Sequence, residues 1–296
     1  MSRVYSDQRV LTYPVRAYLR LVRPGLLATM LLAMAIAALT AGQHLPPLPQ
    51  LIHAVLGTAL LIMGASAMNQ VVEQNEDAKM PRTATRPLPS RLLTKRQVTA
   101  LAILLSIAGT AYLAVLSTPT LTLLAVSSWI VYVLAYTPLK RKSVWQTPVG
   151  SLAGAIPVLL GSAMVGAVFS PISLSLFGVV FFWQFPHTSS IGWIYREQYA
   201  QAGIKVAAVV DPTGRLAGRL AVFGAACVLP LSLVPAIYST TGWICGLIAL
   251  ILGLADLAVA AKFLRKPSNE TARLLRRMSL VHLPVLLLSI FLAVRF

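Results

Sequence analysis

Three side chains with oxygen acceptors recur at a regular spacing and give the first indication of chemistry. Asn69, Glu73 and Asp77 stand four residues apart, so they lie on one face if the preceding apolar helix continues through them. Carboxylates at this spacing repel each other unless a cation lies between them. Oxygen ligands without sulfur or paired histidines favour Mg²⁺, which binds through one or two carboxylates together with substrate phosphates. We therefore predict a magnesium site.

Two arginines follow these acceptors directly. The guanidinium groups of Arg82 and Arg86 suit the oxygens of a phosphate. Carboxylates, a metal ion and arginines together describe a site for a diphosphate. The competing interpretation is a solvated loop, because a polar segment after an apolar helix is most often only that.

Long apolar runs must position these residues. Of the 296 residues, 57% are hydrophobic and 11% are charged, whereas soluble proteins carry about 25% charged residues. Nine runs approach the roughly 20 residues that cross a bilayer as a helix. By residue number they are 26–43, 51–72, 97–116, 120–139, 148–168, 172–194, 216–237, 242–261 and 278–294. The sequence therefore predicts an all-α, polytopic membrane bundle of nine transmembrane helices.

The net charge of +17 is distributed as in a membrane protein. Every Lys and Arg except Arg295 lies before the first run or in and beside alternate loops, and the other loops (41–50, 117–119, 169–171 and 238–241) contain none. This pattern places the N-terminus in the cytoplasm and the C-terminus outside. These cations also suit anionic lipid head groups, so no nucleic acid is needed to explain them. Arg23, just before the first run, is interpreted chiefly as such a topology signal, with phosphate binding as the lesser alternative.

The loop after the fourth run carries a second group of cations. Lys140 and Lys142 would supply compact positive charge to a phosphate and form a wall opposite the two arginines. The alternative is an ordinary basic loop on the cytoplasmic side of the membrane.

The sixth run ends in a polar sequence that is unusual for a membrane helix. Gln184 and His187 are costly within an apolar helix unless they face a cavity or a partner. Pro186 lies between them and cannot donate a backbone hydrogen bond, so the helix is expected to bend there. We predict that these residues, with Trp183, belong to the site. The alternative for His187 is a core histidine whose hydrogen bonds are satisfied within the bundle.

Acidic residues elsewhere are few. Glu197 and Asp211 lie on the same predicted side of the membrane as the first two acids, so a second metal cluster is a further prediction. Asp256 stands alone in the eighth run, and we expect it to pair with a nearby cation. His282, in the ninth run, lacks the neighbours that surround His187.

Together these motifs resemble the UbiA-type intramembrane prenyltransferases, and within them the protoheme IX farnesyltransferase (heme O synthase) branch. The first family motif is Asn-x-x-x-Asp-x-x-x-Asp-x-x-Met-x-Arg-Thr-x-x-Arg-Pro-Leu, matched here by Asn69, Glu73, Asp77, Met80, Arg82, Thr83, Arg86, Pro87 and Leu88. The second is matched by Leu139, Lys140, Arg141, Thr147 and Gly150. The third, Trp-Gln-x-Pro-His, is matched by Trp183, Gln184, Pro186 and His187 and is more particular to the heme branch.

The resemblance implies transfer of a farnesyl group from farnesyl diphosphate to a vinyl group of heme B, with Mg²⁺ as cofactor. The implied metal ligands are Asn69, Glu73, Asp77 and Glu197. The implied diphosphate-binding residues are Arg82, Arg86, Lys140 and Lys142. Trp183, Gln184 and His187 would face the heme or the developing carbocation, and Tyr199 would also bind substrate. The implied catalytic residues are Asn69, Glu73, Asp77 and His187.

The predicted organisation is a cytoplasmic N-terminal segment, 1–25, followed by one intramembrane prenyltransferase domain, 26–294. Its catalytic cytoplasmic loops are 73–96, 139–148 and 195–215. We expect an integral, multi-pass protein of a bacterial-type cytoplasmic (inner) membrane or an equivalent organelle membrane. Membrane lipid is an expected partner, and the resemblance adds heme A synthase and other terminal-oxidase assembly proteins.

The chain departs from the family pattern at several places. Among them, Glu73 and Gln198 stand where Asp is usual, and residues 206–208 replace a Met-Leu-Pro run. Three competing functions remain: a prenyltransferase for an aromatic or quinone acceptor, a non-enzymatic heme-binding membrane protein, and a transporter. The first would normally show a second Asp-rich motif after the sixth run, and the last would show several charges deep in its spans.

Overall fold

The structure, a computed structural model, describes residues 16–42, 46–238 and 242–295, and of Arg295 only the backbone. Within these ranges the chain is helical and contains no strand, which confirms the predicted all-α class. Residues 1–15 of the predicted N-terminal segment, and residues 43–45 and 239–241 in two predicted loops, lie outside the described ranges.

The long helices follow the predicted apolar runs, and short helices lie in the connecting loops. They are α1 (Pro24–Ala41), α2 (Leu48–Val72), α3 (Gln74–Ala78), α4 (Lys95–Leu116), α5 (Pro119–Ile130), α6 (Gln146–Met164), α7 (Pro171–Ile194), α8 (Arg196–Gln201), α9 (Ala207–Val210), α10 (Arg215–Leu233), α11 (Gly242–Arg265) and α12 (Asn269–Arg295). Helix α5 continues as a π-helix over Val131–Tyr136 and a last α-helical turn over Thr137–Leu139. Helix α10 continues as a 3₁₀-helix over Val234–Tyr238.

Eight helical segments in the described part of the chain are long and apolar enough to cross a membrane. The remaining predicted span corresponds to α7, which has 24 residues but is not among the eight. Its second half contains Gln184 and His187, and the helix continues through Pro186 without a break. A polytopic helical protein is therefore established, while the count of nine spans and the orientation of the termini stay predictions.

The outer faces of the long helices are apolar. Large hydrophobic side chains exposed on different helices include Leu32, Leu104, Ile107, Leu123, Leu134, Ile251 and Leu288. Exposure of so much apolar surface is unfavourable in water, whereas lipid tails cover it without that free-energy cost. The chain is accordingly an integral, multi-pass membrane protein.

Glycines bring two helix pairs into close contact. Helix α2 packs on α4, and α1 packs on α6. A Cβ added at Gly64 would overlap Ser106 of α4, and one added at Gly161 would overlap the carbonyl oxygen of Met34 in α1. The partner at Gly161 is backbone, so no side-chain rotation can relieve that overlap.

We expect Gly161→Ala to destabilise the protein by about 1–3 kcal/mol, the usual cost of overpacking. The measurement is the melting temperature in detergent. Gly25→Ala is the matched control, since nothing lies within 4 Å of a Cβ added there. Equal melting temperatures for the two variants would contradict the close α1–α6 contact.

The polar segment after α2 is folded against the bundle and is not a solvated loop. Helix α2 ends at Val72, and Glu73 leaves helical geometry (φ −93°, ψ 9°) before α3 begins. The four-residue spacing persists, because the Glu73 amide donates to the Asn69 carbonyl (2.9 Å) and the Asp77 amide donates to the Glu73 carbonyl (2.8 Å). All three acceptor side chains are buried. The predicted common face is retained through a break of one residue.

Candidate active site

A cavity of about 400 Å³ lies between α1, α2, α5, α6 and α7. Volumes of this order are typical of small-molecule sites. Its apolar walls are formed by Leu26, Met30, Leu61, Ile62, Ala125, Trp129, Pro157 and Leu160. Such walls exclude water and suit a hydrocarbon chain.

The charged residues of the cavity come from the chain before α1 and from the loops after α2 and α5. They are Arg23, Glu73, Asp77, Arg82, Arg86 and Lys140. Among the described lining residues, four cations face two acids, and the excess positive charge favours an anionic ligand.

Glu73 forms an ion pair with Lys140, whose Nζ lies 2.6 Å from Glu73 Oε1. Burial acts to raise the pKa of Glu73, but the charge and hydrogen bond of Lys140 outweigh it and lower that pKa. Burial likewise acts to lower the pKa of Lys140, and the charge of Glu73 raises it instead. Both groups are therefore charged at neutral pH. The Lys140 ammonium also lies 4.4 Å from the centroid of the Tyr136 ring, a cation–π contact.

Asp77 is paired with Arg86, whose Nη1 donates to both carboxylate oxygens at 2.7 and 2.6 Å. Burial raises the pKa of Asp77 in spite of this pairing, and the nearby Glu73 carboxylate adds to the increase. Burial and repulsion from Arg23 lower the pKa of Arg86. Asp77 is thus the carboxylate whose charged form is less favoured, and a cation beside it would stabilise that charge.

Asn69 does not line the cavity and is held by its neighbours. Its Oδ1 accepts from Arg23 Nη2 at 2.8 Å, and its Nδ2 donates to Thr137 Oγ1 at 3.1 Å. The Thr137 hydroxyl in turn donates to the carbonyl of Tyr132 at 2.7 Å. In this structure Asn69 therefore orients Arg23 and joins α2 to the end of α5. The predicted role as a metal ligand requires an amide oxygen that faces the cavity, and Asn69 is not among the residues that line it.

Arg23 lines the cavity, whereas its sequence position was interpreted chiefly as a topology signal. Its backbone is left-handed (φ 49°), a strained conformation for a residue other than glycine. Its side chain lines the cavity, and Nη1 donates to Tyr132 Oη at 3.3 Å. Attraction from Tyr132, Glu73 and Asp77 raises the pKa of Arg23 against the opposing effect of burial, which is the largest single influence. The guanidinium is a fixed positive charge in the cavity wall.

Sequence reasoning missed two tyrosines. Tyr132 and Tyr136 line the cavity and lie within the π-helix that extends α5. Isolated π-helical turns are frequent at functional sites. A signal was available, since Tyr132, Tyr136 and Lys140 are spaced by four residues and lead from the apolar run into the basic loop.

The loops at this end of the bundle are tied together over the cavity. The Lys205 amide donates to the Lys140 carbonyl at 2.8 Å. Arg82 Nη2 donates to Tyr199 Oη at 3.0 Å, and its guanidinium lies 4.9 Å from the ring centroid of Tyr195. Arg82 and Tyr199 both line the cavity, and their contact with substrate stays a prediction.

Two further predicted site residues, Lys142 and Glu197, and the predicted second metal cluster do not lie at the cavity. Lys142 is exposed, and the Glu197 side chain is 82% exposed beside Arg196 because it lies on the outer side of the first turn of α8. Asp211 directly follows α9, and its Oδ2 accepts from the Leu216 amide in the first turn of α10 at 2.7 Å. No group of three or more Asp, Glu, His or Cys side chains in the described ranges is arranged to hold a metal.

The third motif is divided between two sides of α7. Gln184 lines the cavity, and its Nε2 donates to the Ser151 carbonyl at 3.0 Å. Trp183 and His187, four residues apart, lie on the neighbouring side and contact α12 instead. Trp183 Nε1 donates to the Ser279 carbonyl at 2.8 Å, and His187 Nδ1 lies 2.9 Å from Ser279 Oγ. The structure therefore brings only Gln184 of the three into the cavity.

The two cavity carboxylates are suited to hold magnesium. Glu73 and Asp77 both line the wall, and carboxylates with substrate phosphates are the ligand set that Mg²⁺ prefers. Without a metal, Lys140 and Arg86 neutralise them. An incoming ion and a diphosphate would exchange these pairs, so that the carboxylates contact the metal and the cations contact phosphate. The site can thus bind an amphiphile with a diphosphate head and an apolar tail.

The fold and this site define an intramembrane prenyltransferase, and comparison with known proteins agrees. Residues 26–282 match the profile of the UbiA prenyltransferase family. Over 278 residues the chain is 34% identical to the protoheme IX farnesyltransferase of Rhodopirellula baltica. This alignment covers 91% of this chain and 97% of that protein. The chain belongs to the UbiA prenyltransferase family.

Solved structures share the fold. A digeranylgeranylglyceryl phosphate synthase superposes with a TM-score of 0.81 at 16% identity, covering 95% of this chain and 98% of that one. A UbiA homolog from Archaeoglobus fulgidus, bound to DMAPP and Mg²⁺, superposes with a TM-score of 0.70 at 18% identity, covering 92% of this chain and 98% of that one.

Proposed function

We propose that the chain transfers the farnesyl group of farnesyl diphosphate to a vinyl group of heme B, giving heme O and diphosphate. The name and near full-length similarity of the Rhodopirellula baltica relative support the two substrates. The single observation that carries the chemistry is the cavity, whose cationic residues and apolar walls match a diphosphate head and a prenyl tail.

In this proposal the cavity residues stabilise the leaving group. The diphosphate oxygens would be held by Arg23, Arg82, Arg86 and Lys140. These cations oppose the negative charge that builds on the diphosphate as its bond to farnesyl C1 breaks and the oxygen keeps the electron pair. Magnesium, when held by Glu73 and Asp77, supplies further positive charge to the same oxygens.

The other product of bond breaking is an allylic carbocation, which water would destroy. The apolar walls keep water out, and the rings of Trp129, Tyr132 and Tyr136 offer π-faces to the positive charge. The vinyl group of heme adds to farnesyl C1 and the charge moves to the carbon beside the porphyrin, where water adds and releases a proton. Gln184 would face this step from inside the cavity, and Trp183 and His187 would meet the heme at the α7–α12 contact.

Purified protein incubated with heme B, farnesyl diphosphate and Mg²⁺ tests this proposal, with the pigments analysed by mass spectrometry. We expect farnesylated heme only when both substrates are present. Matched reactions replace heme B by aromatic or quinone acceptors. Preferential prenylation of those acceptors would favour the related prenyltransferase, and heme binding without farnesylation would favour a heme-binding protein.

Removal of the metal gives a second expected result. Excess EDTA should stop turnover, and added Mg²⁺ should restore it, because the leaving group then regains its extra positive charge. The melting temperature should change little, since Glu73 and Asp77 already have Lys140 and Arg86 as partners without metal. Full turnover in EDTA would contradict the magnesium assignment.

Two further parts of the proposal concern the cell. The distribution of Lys and Arg supports cytoplasmic loops after α2, α5 and α7 in a bacterial-type inner membrane or an equivalent organelle membrane. Heme A synthase and other terminal-oxidase assembly proteins are proposed partners, supported by the resemblance to the heme branch.

A further inference from the structure

Two ionisable side chains meet inside the bundle, away from the cavity. Asp256 of α11 and His282 of α12 are 0% and 1% exposed, and His282 Nδ1 lies 3.3 Å from Asp256 Oδ2. Apart from this contact, neither side chain has a hydrogen-bond partner among the described residues. The sequence predicted a cation near Asp256, and its partner is a histidine that no sequence pattern singled out. Separating such groups within a membrane is costly, so the contact holds α11 and α12 together.

One turn earlier, α12 orients the polar side chains of α7. The Ser279 carbonyl accepts from Trp183 Nε1 at 2.8 Å, and Ser279 Oγ contacts His187 Nδ1 at 2.9 Å. Ser279 Oγ donates its hydrogen to the Arg276 carbonyl at 2.9 Å, so the His187 ring must be the donor in the other contact. His187 Nε2 is then left with a free lone pair. The imidazole also stacks on Trp183, with ring centroids 4.7 Å apart and an angle of 17° between the rings.

The buried face of α12 around His282 is largely apolar. Leu283, Leu286, Leu287 and Ile290 pack in the hydrophobic core. A shift of one residue along an α-helix is a rotation of about 100° and a rise of about 1.5 Å, enough to separate His282 from Asp256. Polar contacts in an apolar interior do not tolerate such a shift and are known to specify register.

We propose that Asp256 and His282 are a positioning pair for the acceptor site. By anchoring α12 on α11, they set the rotation and height at which Ser279 orients His187 and Trp183. Neither residue lines the cavity, so binding of the prenyl diphosphate does not depend on them. This inference rests on the proposed function, because heme is the acceptor that His187 and Trp183 are proposed to meet.

A set of four variants separates positioning from simple packing. Asp256→Leu and His282→Leu each leave one buried polar group unpaired, and both should lower the melting temperature and raise the KM for heme B about tenfold. The double leucine variant should recover the melting temperature but keep the raised KM for heme B. The exchange of the two residues, Asp256→His with His282→Asp, should recover both. The KM for farnesyl diphosphate should stay at the wild-type value throughout.

Ser289→Ala is the matched control on α12. Ser289 Oγ lies 3.8 Å from Cys245 Sγ of α11, too far for a strong contact, and its loss should change neither KM. A wild-type KM for heme B in the double leucine variant, or no recovery in the exchanged variant, overturns the inference. Heme titration at the Soret band needs no turnover: an unchanged heme affinity in the double leucine variant overturns the inference even if farnesyl transfer itself fails.

Discussion

Asp77→Asn is expected to lower farnesyl transfer by about 100- to 1,000-fold while the protein stays folded. The substitution removes the charge that would hold Mg²⁺ but keeps the shape of the side chain. Burial raises the pKa of Asp77, so its surroundings disfavour the charged carboxylate that the substitution removes. An amide oxygen can still accept from Arg86. Turnover and melting temperature, measured on the same preparation, check both halves of the expectation.

Glu76→Gln is the matched control for this variant. Glu76 is a buried carboxylate one residue before Asp77, but it pairs with Arg141 at 3.2 Å and does not line the main cavity. We expect it to keep most of the wild-type turnover. Equal losses in the two variants would mean that the fold and not the metal site was damaged, and full activity of Asp77→Asn would remove Asp77 from the magnesium assignment.

Lys140→Gln is expected to lower kcat/KM for farnesyl diphosphate by about 100-fold. Lys140 is a compact cation between Glu73 and the Tyr136 ring, and its side chain lines the cavity. Its loss removes charge from the leaving group and also leaves the Glu73 carboxylate buried without its partner. Lys140→Arg keeps a cation beside Glu73, so it should fold normally, and its broader head should still lower kcat/KM about tenfold.

Lys142→Gln separates this effect from a general loss of basic charge. Lys142 lies two residues away on the same loop, but it is exposed and outside the cavity lining. Steady-state kinetics with varied farnesyl diphosphate should give a wild-type kcat/KM for this variant. A fall comparable to that of Lys140→Gln would show that the loop acts by its net charge and not by a specific contact.

The helices were predictable because length, hydropathy and flanking charge act locally along the chain. Runs of apolar residues gave the spans, and the alternation of basic and uncharged loops grouped the catalytic loops on one side. Helix α7 is the exception: it is the predicted span that is not among the eight segments long and apolar enough to cross a membrane. The same polar residues that indicate a site, Gln184 and His187, make its second half less typical of a membrane span.

The position of a site residue was predictable where it depends only on residue spacing within one helical turn. The four-residue spacing of Glu73 and Asp77, and the arginines that follow, placed these residues at the cavity as expected. It was not predictable where the packing of neighbouring helices decides. Whether His187 faces the cavity or α12 depends on the rotation of α7 against its neighbours. The spacing of residues within α7 does not specify that rotation.

The partners of the acids also depend on tertiary contacts. The sequence placed Lys140 opposite the arginines as a phosphate ligand, and the structure shows that it also neutralises Glu73 before any substrate binds. Glu197 looked equivalent to the other acids by type and membrane side. It is exposed in the first turn of α8, which begins at Arg196 after α7 ends at Ile194, and composition does not reveal this local geometry.

Farnesyl transfer to heme is tested by one reaction: purified wild-type protein with heme B, Mg²⁺ and farnesyl diphosphate labelled with ¹³C at C1. Released diphosphate and labelled porphyrin are measured in the same samples over time. We expect one labelled porphyrin for each diphosphate released, and neither product in the Asp77→Asn variant above a small residual rate. Diphosphate release without label in the porphyrin, or heme that is bound and recovered unchanged, would contradict it.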